Sequence, residues 1–430
     1  MTNSGNCGAA SAVSKRAARW RTGVATTAMF ATITACGGGL MDVDNPGRVA
    51  ESDLANPVLA QTMVNSALGQ FECAYTQYVA SAGILSNEYV NSSSWLDING
   101  WGWRGIELET ITGSCPTSRT ATGLGAYTPL QQARYMAEDA ARRIEEFPED
   151  QVQNKDEKLA MLSAYTGYSY VLLGEGWCEM AIDQSPIMTP QEVLAVAETK
   201  FDDAIRYAQS AGRNDLLLLA TAGRARTRLD RGNLAGAATD AEQIPAGFVW
   251  NAEYSTVEGR RENRIYNLNI RSRYLSIERT KNTGLMAGGE PDPRITMTDA
   301  HAKGHDGVTD HFYQDKYPTA DTPIPMASWN EAQLILAETR PEQAVEAINR
   351  LRASQGIPAV TAEESADIMA LVLEERRRQL FSEGHRLNDM LRHNIPFPTG
   401  VNHKGQPWGT QTCMPLPRQE RLNNPNIGVL

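Results

Sequence analysis

The residues best suited to recognition lie in one stretch, Asn87-Glu-Tyr-Val-Asn-Ser-Ser-Ser-Trp-Leu-Asp-Ile-Asn-Gly-Trp-Gly-Trp-Arg104. It holds three of the chain's eight tryptophans, Trp95, Trp101 and Trp103, with Tyr89, amides and hydroxyls between them. Flat aromatic faces cover the apolar C–H faces of a sugar ring, and Asn, Asp and Arg side chains hydrogen-bond its hydroxyls. Tyr89, Asn91, Trp95, Asn99, Trp101 and Trp103 are therefore the expected ligand-binding residues, with Trp95 and Trp101 foremost. The competing reading is that these tryptophans plug the core or face a protein partner, since aromatic residues serve interfaces equally well. Tyr313 and Tyr317 are further candidates, from the far side of a shallow site.

Other chemistry finds less support. His301, His305 and His311 are close in sequence, but two histidines four apart share a face only on a helix, and Gly304 and Gly307 point to a loop. No metal and no cofactor is expected. Glycosidase chemistry needs two carboxyl groups held roughly 5–10 Å apart across a cleft, and no pair marks itself out. Neither a His-Glu-x-x-His, a Gly-x-Ser-x-Gly, a P-loop nor a dinucleotide fingerprint occurs. The chain reads as non-enzymatic. Its formal charge of −11 and the lack of a basic face beyond the first segment exclude a nucleic-acid binder.

The elements that would position such a site are helices. Asn56-Pro57, Thr128-Pro129 and Thr189-Pro190 each place a capping residue before a proline at the first helical position. Helical spacing then runs through Phe71, from Thr128 to Phe147, from Asp156 to Leu173, from Thr189 through Ala208, from Leu216 to Arg231 and from Leu234 to Gln243. Arg228-Leu-Asp-Arg-Gly-Asn-Leu-Ala-Gly-Ala-Ala238 resembles the turn of a tetratricopeptide repeat, with a period of roughly 34 residues. From Pro245 to Pro325 the periodicity lapses. A structureless loop of that length is improbable in a compact domain, so short helices and a hairpin are expected there. Helices resume at Trp329–Glu338 and from Pro341 through Leu351. The fold class is all-α, with tetratricopeptide-like hairpins and a large irregular ligand-binding insertion region.

The last long helix is expected from Leu371 to His393, with Leu373, Leu380, Leu387 and Leu391 along one stripe. Gly384 falls on that stripe, where a helical glycine costs about 1 kcal/mol relative to alanine, so close approach of another backbone is expected there. Helical spacing lets Glu374 reach Arg378, Glu375 reach Arg378 or Gln379, and Glu383 and Asp389 flank Arg386.

The N-terminus reads as a secretory leader. Lys15, Arg16, Arg19 and Arg21 form a basic segment, Thr22 to Thr34 carries no charge, and Ile33-Thr-Ala-Cys36 places a cysteine after small residues. Cys36 there resembles a bacterial lipobox, whose cysteine becomes the lipidated first residue. The expected organisation is a signal peptide over 1–35, a lipidated tether over 36–49 and a helical domain over 50–430. Removing 1–35 takes away four basic residues and no acidic one, lowering the charge to −15. An acidic body does not adhere to an anionic membrane, so the anchor must be the lipid. After export Cys73, Cys115, Cys178 and Cys413 remain, and four cysteines allow three pairings. Cys73 with Cys115 and Cys178 with Cys413 is the preferred one, the second bond pinning the C-terminal tail. Four free thiols would suit a cytosolic protein.

Glu375-Arg376, Glu383-Gly384-His385-Arg386 and Asp389-Met-Leu-Arg392, with Leu40-Met-Asp-Val-Asp-Asn-Pro46 and the tail Cys413-Met-Pro-Leu-Pro417 and Asn424-Pro-Asn426, resemble the SusD/RagB family. The family usually has an aromatic residue where this chain has His393. The resemblance implies an outer-membrane lipoprotein, exposed at the cell surface, that captures a nutrient, mostly a glycan or oligosaccharide, for a SusC-like TonB-dependent transporter. Glu375, Arg376, Glu383, Gly384, Arg386 and Asp389 are read as structural residues that lock the last helix against the repeats. The alternative is an envelope scaffold of tetratricopeptide-like repeats that binds a protein partner only.

Overall fold

The computed structural model describes residues 51–427 except residue 110. The leader, Cys36, the tether and the 40–46 motif lie outside the described residues. Helix α1 (Ala60–Leu85) is the central element. A 3₁₀ turn over Pro57–Leu59 leads into it, capped by Asn56, which accepts a hydrogen bond from the Val58 N–H at 3.1 Å. From Gln70 to Leu85 every residue of α1 is buried. A helix buried all round must be enclosed by others, and α3 (Tyr127–Glu146) and α4 (Lys155–Gly176) pack beside it.

The hairpins continue outward. Helix α4 packs on α5 (Pro190–Ser210), α5 on α6 (Asn214–Asp230), and α6 on α7 (Leu234–Ala241). Thr189 and Glu192 form a reciprocal capping box at the start of α5. Asn233 caps α7 by accepting from the Gly236 N–H at 3.1 Å. A short α2 (Leu96–Gly102) lies between α1 and α3. The C-terminal set is α8 (Trp329–Thr339), α9 (Ala344–Ser354), α10 (Ile368–Gln379), α11 (Arg386–Arg392) and α12 (Arg418–Asn423). The fold is all-α with tetratricopeptide-like hairpins.

The irregular middle is built of short antiparallel pairs. Strand β1 (Tyr89–Asn91) pairs with β3 (Leu275–Ile277), and β2 (Val249–Ala252) with β8 (Ile324–Ser328). Strands β4 (Met286–Ala287) and β5 (Glu290–Pro291), and β6 (Met297–Lys303) and β7 (Asp310–Gln314), form two hairpins. A π-helical turn covers Tyr266–Arg271.

The last long helix is broken, which corrects the single helix expected over Leu371–His393. Helix α10 ends at Gln379 and α11 begins at Arg386, with Ser382 at φ +61° and Gly384 at φ +87° between them. The glycine is thus not inside a helix. It sits in a left-handed turn, and a Cβ there would lie 3.1 Å from the buried Tyr78 ring.

The break redirects the charges. Glu374 does reach Arg378, at 2.7 Å. Glu375 instead takes Arg352 and Arg294, each at 2.6 Å, and Glu383 takes Lys316 at 2.6 Å. Asp389 pairs with Arg376 at 2.8 Å and Arg392 at 3.1 Å, so neither Glu383 nor Asp389 pairs with Arg386. Arg392 and His393 converge on Glu338 at 2.6 and 2.8 Å. Glu175 with Arg226 adds a further buried pair at 2.6 Å. Glu375, Arg376, Glu383 and Asp389 are all buried, and a buried ion tolerates its lost hydration only when its partners are in place.

Two disulfides are present, Cys73–Cys115 and Cys178–Cys413. The second ties the tail to the end of α4. There Met414 N–H donates to the Gly176 carbonyl at 2.8 Å, and Cys178 N–H to the Met414 carbonyl at 3.0 Å.

Candidate functional site

Three segments distant in sequence converge beside α2: residues 91–106, the turn 304–309 and the tail 396–412. The β1–β3 pair carries the first of them out of the core. Ser92 N–H then donates to the Tyr274 carbonyl at 2.9 Å and Ser92 Oγ to that of Arg273 at 2.9 Å. The turn comes next to it because Asp306 N–H donates to the Ser92 carbonyl at 2.9 Å. The tail is fastened by Lys404, whose Nζ donates to the Ser93 carbonyl at 2.8 Å and pairs with Asp306 at 2.7 Å. Burial alone would raise the Asp306 carboxyl. The hydrogen bonds from Lys404 and Thr309 outweigh it and hold that carboxyl well below the usual carboxylate range.

Helix α2 sorts the aromatic residues. Ile98 and Trp101, three apart, turn inward together and are fully buried. Trp95 and Leu96 are left outside, Trp95 with 47 % of its surface exposed. Its indole stacks on the His305 ring with centroids 5.7 Å apart, and Tyr274 meets that ring edge-on at 4.9 Å. Ser94 Oγ lies 3.2 Å from His305 Nδ1.

This placement corrects part of the expected ligand set. Trp101 is a core residue. Tyr89 is buried, its hydroxyl 2.7 Å from Ser382 Oγ and its ring against Phe381. Asn91 is buried and spends its amide on Asn99 Oδ1 and the Ser93 N–H. Asn99 and Trp103 are half-buried, and Trp95 alone of the six is exposed. Tyr317 is also inside, donating to the Ser382 carbonyl at 3.0 Å, while Tyr313 is half-buried. The histidines do not converge: His301 projects into solvent from β6, His305 lies on Trp95, and His311 is buried on β7. Burial and the nearby Arg273 charge lower His311 to about 4, so it is neutral. No group of three or more metal-ligating side chains is arranged to hold an ion among the described residues.

This face also carries a cleft of about 550 Å³. Arg104, Phe397 and Trp408 form its aromatic and cationic wall, and Asn394, Thr399, Thr410 and Thr412 supply polar groups. The tail is laid along the tryptophan-rich stretch by backbone pairing. Gly409 N–H donates to the Trp103 carbonyl at 2.6 Å, and Gln411 Nε2 to that of Ile106 at 2.9 Å. Only glycine fits at 409, because a Cβ there would lie 2.2 Å from the Arg104 carbonyl oxygen. The Arg104 guanidinium then lies 5.1 Å from the Trp408 ring centroid and 5.3 Å from that of Phe397, within cation–π range.

Trp408 and Phe397 are the site residues that sequence reasoning missed. The one available signal was an isolated tryptophan between Pro407 and Gly409 in a polar tail. What the face offers chemically is a set of flat apolar surfaces, threonine hydroxyls and amides, and one guanidinium. Such groups can pack against the C–H faces of a polyhydroxylated molecule and hydrogen-bond its hydroxyls.

Residues 330–426 match the family model described as the SusD family. No curated protein sequence matches the chain. Solved structures do. A SusD-like carbohydrate binding protein from Bacteroides vulgatus aligns with a TM-score of 0.56 at 12 % identity, over 86 % of this chain and 97 % of that one. A SusD/RagB family protein from Bacteroides thetaiotaomicron aligns at 0.60 and 14 %, over 83 % and 90 %. A SusD-like protein from Bacteroides fragilis aligns at 0.60 and 13 %, over 88 % and 98 %. Likeness at this identity is a likeness of fold. Among the described residues no helix is long and apolar enough to cross a membrane.

Proposed function

We propose, from the match of residues 330–426 to the SusD family, that the chain is a cell-surface binding protein that captures an oligosaccharide and hands it to a TonB-dependent outer-membrane transporter. The observation that carries the reading is the face built by 91–106, 304–309 and 396–412. It presents Trp95 on His305 of the 304–309 turn and, in the cleft, Phe397 and Trp408 beside threonine hydroxyls, the Asn394 amide and Arg104. Aromatic faces take the sugar's C–H faces, and the polar groups take its hydroxyls. One neighbouring structure is described as carbohydrate-binding, which supports the same ligand class here.

The mechanism is passive. Cys36 would carry the lipid that holds the chain at the outer membrane, the helical hairpins would form the rigid body, and the transporter would supply the energy. No group of this chain is asked to make or break a bond.

Calorimetric titration of the purified protein with a panel of neutral and acidic oligosaccharides tests the binding. At least one should bind, and Trp95→Ala and Trp408→Ala should each weaken it. Loss of binding in neither variant removes the site from this face. Mass spectrometry of the N-terminal peptide tests the anchor, and an unmodified Cys36 refutes it.

A further inference from the structure

We propose that the cleft beside Trp408 selects an anionic sugar unit, carrying a uronate carboxylate or a sulfate ester, and that Arg104 is the residue that selects it. The inference rests on the carbohydrate reading above and sharpens it to a charge class.

Arg104 is a cation without a counter-ion. It is only 4 % exposed, yet it makes no ion pair with any carboxylate among the described residues. Its Nε is buried with no hydrogen-bond partner, and its Nη2 donates to the Pro398 carbonyl. No aspartate or glutamate lines the cleft. In this chain of net charge −11 the buried Arg134, Arg226, Arg352 and Arg376 each have a carboxylate within 2.9 Å, whereas the buried Arg264 also lacks one but does not line the cleft and donates to two carbonyls, those of Ala121 and Gly123.

A buried, unpaired guanidinium is costly, because the lost hydration is not returned by a partner. Burial accordingly depresses its pKa, but an arginine stays protonated regardless. The backbone bears a cost as well, since Arg104 holds φ +60°, a left-handed conformation that a long side chain adopts rarely. Both costs are offset if an anion completes the site. The aromatic rings of Phe397 and Trp408 stabilise the cation meanwhile and keep it from folding back to the surface.

The rest of the cleft fits the same ligand. Phe397 and Trp408 offer faces to a pyranose ring, and Thr399, Thr410, Thr412 and Asn394 offer hydrogen bonds to hydroxyls. A guanidinium takes either a carboxylate or a sulfate oxygen in a charge-assisted hydrogen bond. A structural arginine that merely fastens Pro398 would need neither an open cleft at its side nor an acid-free wall.

The test is calorimetric titration of the purified protein with three matched sets of probes. These are galacturonate and glucuronate oligosaccharides, their carboxyl-reduced neutral counterparts, and a sulfated galactan oligosaccharide with its desulfated form. At least one acidic probe should bind about 10- to 100-fold more tightly than its neutral counterpart, the range expected of one charge-assisted contact. Its affinity should fall as salt is raised from 20 to 500 mM (on the order of one Debye length shortening from about 20 to about 4 Å), while that of the neutral probe should not. Which set shows the preference separates carboxylate from sulfate. Arg104→Gln should erase the preference, and Arg104→Lys should retain part of it. The salt dependence in the unmodified protein stands even if a variant fails to fold. Equal affinity for acidic and neutral members overturns the anionic selection and leaves carbohydrate binding intact. Preference retained in a folded Arg104→Gln overturns the assignment to Arg104. Failure of every oligosaccharide to bind overturns this inference and the reading beneath it together.

Discussion

Replacing Gly384 by alanine separates two accounts of the C-terminal motif by the sign of the effect. Inside a helix, as the sequence pattern places it, Gly384→Ala would stabilise the protein by about 1 kcal/mol. In the turn between α10 and α11 the backbone holds φ +87°. An L-residue there costs about 1–2 kcal/mol. The new methyl would also lie 3.1 and 3.2 Å from two carbons of the Tyr78 ring and 3.4 Å from Val79 Cγ2. Tyr78 and Val79 are fully buried, so neither can swing away. Overpacking of that kind costs about 1–3 kcal/mol. The total is a loss of about 2–5 kcal/mol. Gly212 supplies the control: it holds φ +64° with nothing within 4 Å of its missing Cβ, so Gly212→Ala should lose only the backbone part, about 1–2 kcal/mol. Urea unfolding followed by far-UV circular dichroism measures both. The reasoning is refuted if Gly384→Ala is as stable as the unmodified protein, or loses no more than Gly212→Ala.

Trp101→Ala should destabilise by about 3–5 kcal/mol in the same assay, because it empties a fully buried indole site. Trp95→Ala should change stability by less than about 1 kcal/mol while weakening oligosaccharide binding about 5- to 10-fold, a separation lost if both variants behave alike. Glu88 is buried, and desolvation raises its carboxyl to about 7 against the Ser382 N–H and the charges of Arg386, Lys316 and Arg377. The folded state therefore binds this proton more tightly than the unfolded one, so the stability it contributes is present below about pH 4.5 and is lost as pH rises through about 7. Glu88→Gln should accordingly gain on the unmodified protein by on the order of 2–3 kcal/mol between pH 5 and pH 8, and a pH-independent difference contradicts the assignment. Removing the Cys178–Cys413 bond, which spans 235 residues, should cost about 2–5 kcal/mol and loosen the tail that carries Trp408. Unchanged thermal stability and unchanged ligand affinity in a Cys178→Ser, Cys413→Ser double variant would count against that role.

Much of the scaffold was legible in the sequence because its signals are local. A capping residue before a proline places a helix start whatever surrounds it, as at Asn56-Pro57 and Thr189-Pro190. The turn at Arg228–Gly232 and the α8 start at Ser328 were readable for the same reason. The candidate binding face was half legible. Composition pointed to the stretch from Asn87 to Arg104, but periodicity in a seven-residue helix is too short to say that Trp101 turns in while Trp95 stays out.

By itself, the sequence determined some helix starts, as at Thr189-Pro190, which cysteines were available to pair, and the C-terminal motif that carries the family likeness, whereas α3 begins at Tyr127, ahead of the cap expected at Thr128. Tertiary structure alone decided three things. It broke the last helix between Gln379 and Arg386, where Ser382 and Gly384 take left-handed conformations and Tyr78 of α1 fills the space a side chain at 384 would need. It sent Glu375 and Glu383 to Arg294, Arg352 and Lys316 rather than to their helical neighbours, because burial demands the closest full-charge partner and not the nearest in sequence. And it assembled the cleft, bringing Arg104 against Phe397 and Trp408, some 300 positions further along. A contact at that separation leaves no periodic trace in either segment, because it depends on how the chain between them folds.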